Sequence, residues 1–334
     1  MAHARYRGLL YEHGHGYPFW IPEPNDASSQ VYKDQGLSIG DVVALTDDGG
    51  YDYLFNIHHP ATHPLNKGGT PSDFEPIPPP HYDDPKEVRR RDAFYPANTA
   101  ITSSSVRKRE ISAEVAVEPA TDCDHGAVLT LPRGGVRIDA QKASQYLKHA
   151  GKHAISWYRY ANQDLAWNLR SGQLYLVTGV DKCSSWGVAS FSKGSASHSA
   201  SIKFLAAGVG SVDAKIKNTW SSDFGFEHRA GVQESGINNQ CVFARGIVIS
   251  VRSGVLAKLC RQNVKTNYLD IKKKPPPLIH KSHPFSSTSR QPYGEAPDGM
   301  EALDEGGGVE LASFPGDQVL LHLSHRLRSL TANQ

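Results

Sequence analysis

Cysteine is scarce. The 334 residues hold four, Cys123, Cys183, Cys241 and Cys260, too far apart to form a CxxC pair. Such sparsity excludes a disulfide framework and points to a reducing compartment. An excess of one charge is also lacking: 36 Lys and Arg face 34 Asp and Glu, a net charge of +2. There is no global pull toward nucleic acid, so a charged partner must be recognised by a local patch. Long hydrophobic runs are missing too, and no window approaches the ~18 apolar residues of a membrane-crossing helix. The opening MAHARYRGLLYEHGHG has only a two-residue apolar run, which does not read as a signal peptide. The expected location is therefore the cytoplasm. The chain has no Walker-type phosphate loop, no GxGxxG, no GxSxG elbow and no zinc-ligand set. No enzymatic activity, cofactor or metal is expected.

What is present is periodicity. Hydrophobic residues make up 39% of the chain and recur in patterned segments, enough to bury a core. Residues 1–30, with YPFWIPEP at 17–24, read as an extended aromatic N-terminal segment packed on the domain, because Pro18, Pro22 and Pro24 forbid a helix. SIGDVVAL, DDGG and YDYLFNI within 36–57 read as strand, turn and strand, with Asp47 and Asp48 serving the turn. His58, His59 and His63 are assigned to a surface loop, since Pro60 breaks any helix that would align them. In 101–119, Ile111, Ala113, Val115 and Val117 alternate with Ser112, Glu114 and Glu118 as in one long strand, which 127–132 would join as a hairpin.

Asp139 is a candidate N-cap for a helix over 139–161, whose stripe is Ala143, Leu147, Ala150, Ala154, Trp157 or Tyr158, and Ala161. Its Trp157, Tyr158 and Tyr160 read as core anchors. His149 and His153 lie four apart without the acidic residue of HExxH, so they read as an exposed or hydrogen-bonded pair. QLYLVTGV, apolar on both faces, reads as a central strand. Alternation returns at Ala200, Ile202, Phe204 and Ala206, and at Val212, Ala214, Ile216 and Trp220. A long apolar strand covers 241–251. The KKKPPP junction marks a boundary. Residues 1–271 are expected to form one α+β domain, 272–316 a flexible Pro/Gly/Ser-rich linker, and 317–334 an amphipathic helix with Val319, Leu320, Leu323, Leu327 and Leu330 on one stripe.

WIPEP, SIGDV, LPRGG, HAISWYRYAN, LYLVTGVDKCSSWGVASF and NQCVFARG resemble a group of uncharacterised proteins of mushroom-forming fungi over residues 17–258. In order and pattern the chain also resembles the gasdermin pore-forming domain: an SxxDV-like segment precedes strands, a Pro turn precedes a helix, the helix leads into a strand of LYLVT type, and a late apolar strand closes the domain. Fungal gasdermin-like proteins likewise carry only a short C-terminal tail, removed by a protease to trigger membrane permeabilisation and cell death. This second resemblance implies a large twisted antiparallel sheet with one main packed helix. It also implies a cytoplasmic pore-forming effector, which is activated by a protease, moves to the plasma membrane, binds anionic lipid there and forms a homo-oligomer.

Arg89, Arg90, Arg91, Arg107, Lys108, Arg109, Lys272, Lys273 and Lys274 are the lipid-binding candidates, because clustered basic side chains attract anionic headgroups. The 319–330 stripe is the inhibitory-tail candidate. The alternative reading is a non-enzymatic interaction or sensing module in fungal immunity or signalling. An enzyme would be sought first around His58, His59, His149 and His153.

Overall fold

The computed structural model describes residues 1–111, 114–119, 125–192, 201–205, 220–221, 226–250 and 267–268. Within them the chain is α+β with antiparallel sheets. An eight-stranded sheet contains β1 (Tyr17–Pro18), β2 (Asp41–Leu45), β3 (Tyr51–Asn56), β4 (Val88–Tyr95), β9 (Gly135–Ala140), β10 (Leu174–Cys183), β15 (Gln240–Ile249) and β16 (Asn267–Tyr268). Its centre is β10, buried at all ten positions, as its apolar run predicts. β15 pairs along one edge of β10; β2 and β9 share the other, pairing at Leu174–Leu176 and Gly179–Lys182.

Two four-stranded sheets follow. One orders β5 (Thr99–Thr102), β8 (His125–Leu131), β11 (Ser185–Ser192) and β14 (Phe226–Val232) as β14-β11-β8-β5. The other orders β6 (Val106–Ile111), β7 (Glu114–Pro119), β12 (Ser201–Leu205) and β13 (Trp220–Ser221) as β13-β12-β7-β6. The alternation over 111–117 is therefore not one strand. Ile111 pairs with Glu114, so the chain reverses between them. Nor does the 127–132 segment pair with 111–117 as expected: β8 lies between β5 and β11, with Ile101 opposite Leu129, while β7 pairs with β6 and β12.

Helix α3 (Ala143–Arg159) lies on the large sheet. Tyr146, Ala150, Ala154 and Trp157 join Phe55, Leu174, Leu176 and Ile247 in one core, and Trp157 meets Phe55 edge-on at 5.7 Å. The helix starts later than the sequence suggests. Asp139 is not its N-cap but a residue of β9, where it pairs with Gly179 and ion-pairs with Arg245; Lys142 takes the cap position without a side-chain bond. A distant partner offers a carboxylate more here than a local cap does.

The N-terminus departs further from expectation. Ahead of the extended 17–24 stretch, α1 (Ala2–Tyr11) is helical, and its fourth-residue series Ala2, Tyr6 and Leu10 is fully buried. A short helix, α2 (Gln30–Gln35), is capped by Ser29 Oγ accepting from the Tyr32 N–H. The expected linker and C-terminal helix lie outside the described residues, as do 206–219 and 272–274.

Candidate functional site

Sequence order and sheet order coincide in an unusual way. The chain leaves the large sheet at β4, runs through β5, β6, β7 and β8, and returns at β9. It leaves again at β10, runs through β11, β12, β13 and β14, and returns at β15. Each excursion is an antiparallel hairpin, and the two lie side by side. Along their seam Leu129 faces Val188 and Val128 faces Ala189, and farther out Val117 faces Ile202. The same four segments thus neighbour one another in the same order in both smaller sheets.

Helix α1 covers one face of the proximal hairpin sheet. Tyr6 and Leu10 pack with Ala127, Leu129, Leu131, Trp186 and Val188, and Tyr6 meets Trp20 edge-on at 5.2 Å. Burying a Tyr and a Leu there removes the apolar face from water, at about 1.5–3 kcal/mol per large side chain. The sheet remains open at its edges. Among the described residues β5 and β14 each pair with one strand, and β14 exposes Glu227, His228, Arg229 and Ala230 in succession.

Where the hairpins join the large sheet sits a charged cluster. Asp181, with no exposed surface, accepts from Arg137 Nε at 2.8 Å and Nη2 at 2.6 Å, from the Tyr95 hydroxyl at 2.6 Å, and from Arg245 Nη1 at 2.9 Å. Those four donors use the carboxylate's full accepting capacity. Arg245 also pairs with Asp139, from strands on opposite sides of β10. The pair can meet because Gly179 lies between them: a Cβ there would stand 2.3 Å from Asp139 Oδ1 and 2.9 Å from Arg245 Nε. Burial works against the charge on Arg245, but Asp181 and Asp139 outweigh it and hold its pKa up.

The cluster also reaches the N-terminal segment. Arg137 Nη2 donates to His15 Nδ1 at 2.7 Å, Arg245 Nη1 donates to the His15 carbonyl at 2.7 Å, and the Arg137 guanidinium stacks 3.8 Å from the centre of the Phe94 ring. Burial, then the neighbouring Arg137, pull His15 down to about 4, so its ring is a neutral acceptor. The sequence signal for this cluster is charge inside three apolar strands: Arg137 and Asp139 in GVRIDA, Asp181 and Lys182 in LYLVTGVDKC, and Arg245 in QCVFARGIVI. That the three meet is a matter of register.

The basic candidates separate. Arg89, Arg90 and Arg91 are exposed in succession on β4, an edge strand among the described residues, and Arg90 pairs with Asp92 at 2.6 Å. Arg107, Lys108 and Arg109 belong to β6, the edge of the distal hairpin sheet, opposite Glu118, Val117 and Ala116. Lys272, Lys273 and Lys274, and the stripe Val319, Leu320, Leu323, Leu327 and Leu330, lie outside the described residues.

The histidines are structural supports. His58 is buried, not on a surface loop: Nδ1 donates to the Pro78 carbonyl at 3.0 Å, which leaves Nε2 to accept from the Tyr146 hydroxyl at 3.1 Å. Burial lowers His58 to about 4, and burial with the neighbouring His153 does the same for His149. The His149 and His153 rings lie 4.6 Å apart, and against the expected exposed or hydrogen-bonded pair both Nε2 atoms are buried without a hydrogen bond, His153 Nε2 standing 3.7 Å from Glu75. His59 stacks on His63 at 3.9 Å. Among the described residues no three His, Cys, Asp or Glu are grouped to hold a metal, and no helix is long and apolar enough to cross a membrane. Cys183 and Cys241 are buried free thiols on adjacent strands, and burial raises both, Cys241 to about 12. No protein-family model, curated protein or solved structure matches the chain.

Proposed function

We propose that the protein is a gasdermin-like pore-forming effector. Its two hairpins rearrange into membrane-spanning strands once a protease removes the C-terminal tail. The observation that carries this reading is the pair of adjacent hairpins running in unbroken order through both smaller sheets. Four strands of alternating direction leave the outermost two, β5 and β14, antiparallel to each other. β14 of one copy set beside β5 of the next therefore continues the same antiparallel ladder, and repetition gives a head-to-tail ring. β7 and β8 together exceed the ~9–11 residues a barrel strand needs to cross a bilayer.

Two further features support the reading. Helix α1 masks an apolar sheet face that membrane insertion would expose, which suits a protein kept soluble until triggered. The exposed Arg89–Arg91 run lies beside the root of the first hairpin and supplies attraction to anionic lipid of about 1 kcal/mol per charge at the surface.

The test is dye release from liposomes containing anionic phospholipid, comparing the full chain with the chain ending at Lys274. The shortened chain should release dye and form detergent-resistant oligomers, and the full chain should release little. Silence from both would sink the proposal.

A further inference from the structure

Past the end of α3 the backbone takes several costly conformations in a row. The last turn widens to a π-turn at Tyr160–Asp164, with the Leu165 N–H reaching the Tyr160 carbonyl at 3.0 Å. Ala166 and Asn168 then adopt left-handed conformations, with φ of +55° and +53°. Alanine gains nothing locally from that region, so surrounding structure must impose it. Between these two residues stands Trp167, 38% exposed.

The segment is firmly braced. The Trp167 N–H bonds the Ala161 carbonyl at 3.0 Å. Asn162 Oδ1 accepts from the Leu169 N–H at 2.5 Å, and the Leu169 carbonyl accepts from the Tyr158 hydroxyl at 2.8 Å. The Arg170 N–H bonds Gln173 Oε1 at 2.7 Å. Strain, a π-turn and four braces together fix the main chain that carries one indole ring, as a preorganised site requires. That place is an open cleft of about 570 Å³ between this segment and the β2–β3 hairpin, lined by Asp47, Asp52, Trp167, Asn168, Arg170 and Gln173.

We propose that this cleft binds a neutral carbohydrate. A pyranose ring has an apolar face of C–H groups that packs on the electron-rich face of an indole. Its hydroxyls both donate and accept, and they match planar side chains of mixed character. Here the Asp52 carboxylate accepts while the Arg170 guanidinium and the Asn168 amide donate. Asn25 Nδ2 bonds Asp52 Oδ1 at 2.8 Å and holds that carboxylate in place, leaving Oδ2 for a ligand. Asp47 pairs with Arg170 and aims it, and Gln173, bonded to Leu45 O at 3.2 Å, forms the floor. An organic cation fits less well, because Arg170 stands in the cleft and Trp167 has no second aromatic beside it among the lining residues. An anion would meet the Asp52 carboxylate. The cleft lies on the large sheet, away from the hairpins, so this site stands or falls independently of membrane permeabilisation.

The full chain is titrated with glucose, galactose, mannose, N-acetylglucosamine and their β-linked disaccharides, by saturation-transfer NMR and calorimetry. At least one sugar should bind. Trp167→Ala should weaken it at least tenfold and Asp52→Asn several-fold, both with an unchanged melting temperature because these side chains are not in the core. Tyr82→Ala, an exposed aromatic elsewhere, should bind as the unaltered chain does. A silent panel, undiminished binding by Trp167→Ala, or displacement of the sugar by tetramethylammonium would overturn the proposal.

Discussion

At the scale of single residues, the folded state depends on few polar groups with many partners. Asp181 binds two arginines and a tyrosine away from water, so replacing it by Asn leaves Arg137 and Arg245 without their shared counter-charge. Breaking a buried pair costs about 3–5 kcal/mol, and Asp181→Asn should lower stability by that order in a denaturant titration. Arg90→Ala, on the exposed pair with Asp92, should cost under ~1 kcal/mol. A similar economy holds at Asn66, whose amide donates to the Asn56 and His59 carbonyls and accepts from the Asn56 N–H. Such residues were visible in the sequence as polar side chains in apolar surroundings. Their partners were not. Asp139 satisfies the local rules for a helix cap, yet its partner Arg245 lies 106 positions away, and no local rule registers that distance.

At the scale of elements, what could be read was what periodicity alone decides. The stripe of α3 and the apolar run of β10 are strong patterns, and the structure places both in the core. Two other elements carry weak signals. Between Ile111 and Glu114 stand Ser112 and Ala113, with none of the Gly, Asn or Asp that announce a tight hairpin, so two strands read as one. Helix α1 holds a glycine at its middle and is too short to be stable alone. It exists because β8 and β11 offer Tyr6 and Leu10 a surface. Leu10→Ala should therefore cost about 2–5 kcal/mol, the range for a fully buried leucine. It should also increase binding of a hydrophobic dye as the sheet face opens. A stability change without extra dye binding would mean that α1 is not the cover of that face. Trp167 falls in a third class: its setting is a backbone strain that composition and spacing do not encode, so its cleft had no sequence signature.

At the scale of the whole molecule, burial of histidine sets the response to acid. His15, His58 and His149 are each held near 4, first by burial, against about 6.5 in an unfolded chain. The unfolded state binds more protons than the folded one between those values. These three groups therefore contribute stability that is present above pH ~6.5 and lost as pH falls toward ~4. Asp41 acts oppositely. Burial, only partly offset by hydrogen bonds from Asn56 and Ser38, raises it to about 7, so its contribution is present at acid pH and fades as pH rises through that value. Below the ordinary carboxylate range Glu75 and Glu87, held low by hydrogen bonds from Lys152 and Lys142, add to the loss in acid. Three histidines outweigh one aspartate, so the melting temperature should climb from pH 4.5 to 6.5 and level off or dip slightly by pH 7.5. His58→Gln, which removes a titrating ring, should flatten the climb. His15 gives the acid limb a local meaning: its protonation puts a positive charge against Arg137 and loosens the N-terminal segment from the junction. Hydrogen exchange at pH 5 should then show residues 2–16 opening before α3. Simultaneous opening of both segments would assign the acid sensitivity to the core around His58 instead.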